Sequence, residues 1–293
     1  MQATAKPKGL AKIWREIKRP FRNKDVTTLK DSFKNFETFS QTGMLMILSK
    51  LTGETMLRVE GIISEYAYWE SVFDRMHHPQ ALCDYETVDA QLRFDSEIAE
   101  PHVGILDELS QHFSIQDINI LDVGAGPLTC INKIYKGIRL NITAIDALAE
   151  YYDNLLQKHG LNPPVRTVLC KGEEIAQRFP KESFHWINCR NALDHMEFPA
   201  ECIKDMVTLL KPGGMISLFH WANEGLNANY TGFHQWDFFM EGNDFCIAGR
   251  NRANYVNITK TLLPNYSVKA QLVKSPFLDV DKEMLEIFIE HID

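Results

Sequence analysis

The segment Ile118–Ile131, INILDVGAGPLTCI, joins a short apolar strand to Asp122-Val-Gly124-Ala-Gly126 and then to a predicted helix. Glycines in such a turn leave room for a ligand to lie directly on the backbone, and a helix start offers unpaired N–H groups. The chemistry implied is the binding of a nucleotide-like ligand. Asp146 stands 24 residues beyond Asp122, at the end of the next apolar run. A carboxylate there can accept both hydroxyls of a ribose. The dinucleotide fingerprint G-x-G-x-x-G asks for glycine at 129, where this chain has Thr129, and Pro127 occupies the turn. That weighs against a nicotinamide or flavin ligand.

Such residues act only if strand ends converge, and the chain has the pattern for it. Apolar runs at 118–123, 140–145, 165–170, 184–188 and 215–220 alternate with helical patterns at 128–135, 148–159, 172–178 and 200–210. Alternation of this kind predicts an α/β fold, a mostly parallel sheet with helices on both faces and ligands beyond the carboxyl ends of its strands. A helix at 253–263 and strands at 267–273 and 283–292 are expected to finish the sheet as an antiparallel pair. Ahead of the core, 27–78 reads as helical: Ile62, Ile63, Tyr66, Trp69, Val72, Phe73 and Met76 form a wide apolar stripe, which Pro79 ends. A further helical pattern covers 102–112. The polar and aromatic stretch from Asn223 to Arg250 is too long for a simple connection and is expected to be a lid. The organisation expected is a basic arm at 1–24, a helical segment at 25–100, and a core at 101–293 carrying the lid 223–250.

With 293 residues, 45% hydrophobic and 24% charged, the chain has a globular balance that excludes a disordered or fibrous protein. The net charge of −8 is uneven. Eight basic side chains against Glu16 alone give the first 24 residues a local +7 and leave −15 on the rest, which argues against a general nucleic-acid binder. Within residues 9–22, Leu10, Ile13, Trp14, Ile17 and Phe21 recur at helical spacing with cations opposite. This pattern suits a helix lying on an anionic membrane surface, and equally an arm docked on its own domain or on a partner. No secretory signal or spanning segment is visible, and the six scattered cysteines contain no C-x-x-C pair. The expectation is a cytoplasmic protein with reduced thiols, peripheral to the inner face of the membrane if the arm binds there.

Taken in order, LDVGAG (121–126), AIDAL (144–148), KGEEI (171–175), SFHWINCRNALDHM (183–196) and LLKPGGMISL (209–218) resemble the motifs of class I S-adenosylmethionine-dependent methyltransferases. The resemblance covers about 101–293 and implies a Rossmann-like seven-stranded sheet with its last strand antiparallel. It implies S-adenosyl-L-methionine as cofactor, with Asp122, Gly124 and Gly126 facing its methionine part, Asp146 at the ribose, and Glu173 or its neighbour Glu174 near the adenine. Asn191, Asp194 and His195 would stand where the methyl group is presented. The tracts Arg190–His195, His220–Glu224 and Tyr230–Trp236 further resemble a bacterial subgroup associated with surface-polysaccharide or glycoconjugate assembly, implying a small-molecule or lipid-linked saccharide acceptor.

Methyl transfer to a hydroxyl requires alignment, exclusion of water and removal of a proton, for which histidine is best suited near neutral pH. His195, His220 and His234 are the candidate bases, with His195 and His234 ahead. His220, Glu224 and His234 can alternatively be read as metal ligands. The four-residue spacing of the first two makes a pair only on a helix, and here it leaves a strand, so no metal is assigned. Trp221, Tyr230, Phe233 and Trp236 suit stacking on sugar faces or packing the lid. Two other classes compete with an O-methyltransferase: a nicotinamide-dependent oxidoreductase of nucleotide-sugars, and a non-enzymatic cofactor-binding membrane scaffold.

Overall fold

A computed structural model describes residues 55–77, 85–94, 103–274 and 283–292. The basic arm, its stretch 9–22 and residues 25–54 lie outside these. Among the described residues, three helices precede the core: α1 (Met56–Met76), α2 (Tyr85–Phe94) and α3 (Val103–Leu109). The Thr55 side chain caps α1 by accepting from the Arg58 N–H at 3.2 Å.

The core alternates as expected: β1 (Asn119–Val123), β2 (Asn141–Asp146), α4 (Ala149–Lys158), β3 (Val168–Leu169), α5 (Ile175–Arg178), β4 (Phe184–Arg190), α6 (Pro199–Leu209) and β5 (Leu210–Trp221). After the short helix α7 (Glu224–Asn227), strands β6 (Trp236–Glu241), β7 (Asp244–Gly249) and β8 (Val256–Asn257) form a separate antiparallel sheet, and β9 (Tyr266–Lys274) and β10 (Glu283–His291) return to the main one. The seven-stranded order is β9-β10-β5-β4-β1-β2-β3, with β10 antiparallel to both neighbours. This is the Rossmann-like sheet with an antiparallel last strand that the motifs imply.

One face of the sheet, through Leu121, Val123, Ile187, Cys189, Ile216 and Leu218, packs on α6 and on Phe238, Phe245 and Ile247 of the small sheet. The other face packs Ile120, Trp186 and Met215 on Ile105, Leu106 and Leu109 of α3. Tyr66, Trp69, Val72 and Phe73 of α1 cover Tyr152, Leu155 and Leu156 of α4, and buried Glu70 takes the Lys158 ammonium at 2.6 Å. The apolar stripe read from sequence is therefore the face by which α1 joins the core.

Three expectations need correction. No helix forms at 128–135. The Thr129 hydroxyl turns back to Asp122 at 2.5 Å, buried Lys133 donates to the carbonyls of Thr129 and Arg93, and Ile134–Tyr135 pairs with Ile138–Arg139 as a small hairpin. Side-chain hydrogen bonds and a ladder thus take the backbone that a helix would need. At 253–263, Val256–Asn257 extends the β7 ladder, and the Asn257 side chain accepts from the Lys260 N–H at 2.8 Å, leaving only a wide turn over Ile258–Leu262. The lid expected at 223–250 is partly core, since β6 and β7 bury Phe238, Phe245 and Ile247.

Asp122, Asn188 and Ser217 stand in register on three adjacent strands. The Asn188 amide donates to Asp122 at 2.8 Å, the Ser217 hydroxyl to Asn188 at 3.0 Å, and the Trp186 indole to Ser217 at 2.8 Å. All four are at most 1% exposed. Burial pushes the Asp122 carboxyl above its ordinary range, against the bonds from Thr129 and Asn188 that lower it. Asp122→Ala would strip two buried donors of their acceptor, each worth about 1–3 kcal/mol. Urea unfolding is expected to register a loss of about 2–6 kcal/mol, and a loss within experimental error would contradict the role given to this network.

Candidate active site

The loop after β1 is bent back over the end of β2. Gly124 and Ala125 donate their N–H groups to the Ile145 carbonyl, and the Gly126 N–H reaches the Asp146 carboxylate at 3.0 Å. The loop N–H groups expected to meet a ligand are therefore engaged within the protein. Gly124 and Gly126 both have positive φ, and a Cβ on Gly124 would collide with the Ala192 methyl. Ala192 and Trp69 occupy the space a Cβ would need at these glycines, and both glycines line a cavity of about 840 Å³, of the size that takes a nucleoside-sized ligand. Asp146 accepts from Gly126 and Leu148 on its two oxygens and still offers lone pairs to the cavity. Burial raises its pKa to about 6, opposed by these two N–H bonds.

Along the same cavity lie Gly124, Gly126, Asp146, Glu173, Asn191, His195 and His234. Glu173 is also a brace: one of its oxygens accepts from the N–H groups of Glu197 at 2.8 Å and Phe198 at 3.3 Å. Two of the expected site residues do not line the cavity. Asp122 points to the α3 face and holds the loop from behind through Thr129. His220 is 1% exposed, its ring packed on Phe238 and its two nitrogens without a hydrogen-bond partner among the described residues. Burial lowers its pKa to about 4. Strand alternation explains its position, since Trp221, the next residue, takes the cavity side.

At the far end, Asp194 is 3% exposed and accepts from His234 Nδ1 at 2.7 Å, with His195 Nε2 at 3.5 Å. Burial alone would raise the Asp194 pKa, but the two imidazoles outweigh it and hold it at about 2. Burial likewise opposes charge on His234, yet the bond to Asp194 and its charge, with Glu224 and Glu65 beyond, leave the pKa above the ordinary imidazole value. The His195 and His234 rings meet nearly edge-on, centroids 4.7 Å apart. Asp194, His195 and His234 are also the residues whose ligand atoms, within 4.8 Å of one another, could hold a divalent cation. The set weighed from sequence, with His220, is not the one brought together.

The roof comes from α1 and from residues 230–236. Phe233 lies against Gly61, where a Cβ would strike its ring, and Trp69 covers Gly126. Gln235 N–H and Trp236 Nε1 fasten the loop to the carbonyls of Asp194 and Met196. Trp221 and Phe233 face the cavity, whereas Tyr230 donates to Asp237 at 2.5 Å and packs the lid. Glu65, on α1, was missed in the sequence. Its carboxylate lies 3.9 Å from His195 Nδ1 and lines the cavity. The available signal was an acid one turn before Trp69, on the flank of the apolar stripe.

Residues 121–218 match the family of the methyltransferase domain. The ubiquinone biosynthesis O-methyltransferase of Colwellia psychrerythraea is 32% identical over 121 residues, 37% of this chain and 48% of that protein. Its counterpart in Chromobacterium violaceum is 30% identical over 114 residues, 38% and 47%. This chain spans about half the length of these relatives. Among solved structures, the 1,6-didemethyltoxoflavin-N1-methyltransferase of Burkholderia thailandensis aligns with a TM-score of 0.41 at 18% identity, over 78% of this chain and 88% of that one. The N-methyltransferase NodS of Bradyrhizobium japonicum aligns with 0.42 at 15% identity, over 77% and 99%. The methyltransferase-domain match includes Gly124, Gly126, Asp146, Glu173, Asn191, Asp194 and His195, and leaves out Glu65, Trp69, Glu224 and His234.

Asp146→Ala is expected to weaken S-adenosylhomocysteine binding by about 1.5–3 kcal/mol, the scale of lost charge-assisted hydrogen bonds. Because ionised Asp146 is the better acceptor and its pKa is raised to about 6, affinity in the unaltered chain should fall as the pH drops below that value. Calorimetry across pH checks both; an affinity indifferent to the substitution would remove Asp146 from the ribose role.

Proposed function

We propose that this chain is an S-adenosylmethionine-dependent O-methyltransferase acting on a hydroxyl of a saccharide or glycoconjugate precursor. The observation that carries the reading is a single cavity joining the Gly124–Gly126 and Asp146 cradle at one end to the Asp194–His234 pair at the other. Asp146 would hold the ribose hydroxyls, Gly124 and Gly126 would face the methionine part of the cofactor, and Glu173 would stand on the adenine side. When bound, the cofactor supplies an electrophilic methyl group on a sulfonium.

The chain's own residues then have three tasks. His234 donates Nδ1–H to Asp194, so its Nε2 is left to take the proton of the acceptor hydroxyl. Asp194, anionic throughout the physiological range, orients the ring and stabilises the imidazolium that forms. Phe233 and Trp69, with the rest of α1, limit the access of water.

The saccharide acceptor rests on the resemblance of the Arg190–His195, His220–Glu224 and Tyr230–Trp236 tracts and on the polar, aromatic-walled cavity. A lipid-linked acceptor would accord with an arm at 9–22 on an anionic membrane. The names of the relatives favour a second reading, a hydroxyl of a ubiquinone precursor. Against the nicotinamide alternative stands residue 127–133 backbone that forms no helix, where a pyrophosphate would need a helix N-terminus.

His234 must be neutral to act as base. Its raised pKa therefore puts the rising limb of the pH–rate profile above about 6.5, the ordinary imidazole value. Asp194→Asn removes the partner that raises it, so the limb should move to lower pH while the maximal rate falls. S-adenosylhomocysteine release measured from pH 5 to 9 tests this; a limb that stays in place would take His234 out of the role.

A further inference from the structure

We infer that the acceptor carries two neighbouring hydroxyl groups, one presented to His234 and the other seated between His195 and Glu65. This rests on the methyltransferase reading and adds the class of acceptor. The cavity end holds two imidazoles side by side, with Asp194 near both and Glu65 near His195. His234 is closed on Asp194 at 2.7 Å. His195 is not closed on anything comparable: its Nδ1 stands 3.9 Å from Glu65 Oε1 and its Nε2 3.5 Å from Asp194 Oδ2. Both exceed a good hydrogen bond. A hydroxyl that accepts from an imidazole N–H and donates to a carboxylate bridges a gap of this width with two normal bonds.

His195 and Glu65 side chains are each 21% exposed, open to the cavity yet mostly out of solvent. Polar groups so placed favour a ligand that satisfies them and disfavour one that leaves them without a partner. The two rings stand nearly perpendicular with centroids 4.7 Å apart, close enough for one small molecule to meet both. In the reaction the acceptor O–CH₃ bond forms as the S–CH₃ bond breaks. The proton of that hydroxyl passes to His234 Nε2, the sulfonium becomes a neutral thioether, and the second hydroxyl keeps its proton. The second hydroxyl fixes which oxygen is methylated, and α1, outside the methyltransferase-domain match, supplies half of its seat.

The test uses the full chain with S-adenosylmethionine and EDTA, reading S-adenosylhomocysteine release. The probes are two matched pairs: methyl α-mannopyranoside with its 2,4-dideoxy counterpart, which has no adjacent pair, and catechol with phenol. In at least one pair the fuller diol should react at least about tenfold faster than its partner. Glu65→Ala should abolish that preference by raising KM for the diol, while calorimetric affinity for S-adenosylhomocysteine changes less than about twofold, the mark of a folded cofactor site. Equal turnover within each pair, no turnover of either diol by a chain that binds S-adenosylhomocysteine, or a preference that survives Glu65→Ala would overturn the inference. A chain that binds no S-adenosylhomocysteine would overturn the methyltransferase reading beneath it.

Discussion

The site depends on one buried rung of polar side chains. Asp122, Asn188 and Ser217 sit side by side on β1, β4 and β5, and the Thr129 hydroxyl closes on the same carboxylate from the loop. A carboxylate with almost no exposure is costly unless fully hydrogen-bonded, so the loop is held where Thr129 can reach it. That fixes the path of Gly124–Gly126 over the end of β2, and thereby the position of Asp146. Asp122 serves the site without facing it.

From this frame the two ends of the cavity take their character. At the β2 end a single carboxylate gathers two backbone N–H groups and remains available to a ligand. At the β4 end Asp194, buried and anionic, draws two imidazoles together and strengthens His234 as a base. Neither end is complete within the central motifs. α1 brings Glu65 and Trp69, the 230–236 loop brings Phe233 and His234, and the two meet where Phe233 lies on Gly61.

Much of this was legible in the sequence, for identifiable reasons. Strand periodicity and the ordered motifs predicted a mostly parallel sheet and its antiparallel last strand, because buried parallel strands leave apolar runs that local reading detects. Asp146, Gly124, Gly126, Asn191, Asp194 and His195 were placed at strand ends and His234 on the lid, and all seven line the cavity. The misreadings were all tertiary. Thr129 looked like a missing glycine, whereas it is the partner of Asp122, and that bond replaces the helix expected at 128–135. His220 was read as a candidate base beyond the strand, and strand alternation turns it inward. Glu65 carried only a helical position, and nothing local says that its turn of α1 meets His195. The residues at 253–263 had helical periodicity, but Asn257 and the β7 edge made better use of the same backbone.

The central claim is that the loop at 124–126 and Asp146 hold S-adenosylmethionine rather than a dinucleotide. Calorimetry of the full chain with S-adenosylhomocysteine and with NADH, in parallel, tests it most directly. One-to-one binding of S-adenosylhomocysteine, undisturbed by excess NADH, is the predicted result. Tight binding of NADH with no heat from S-adenosylhomocysteine would contradict it.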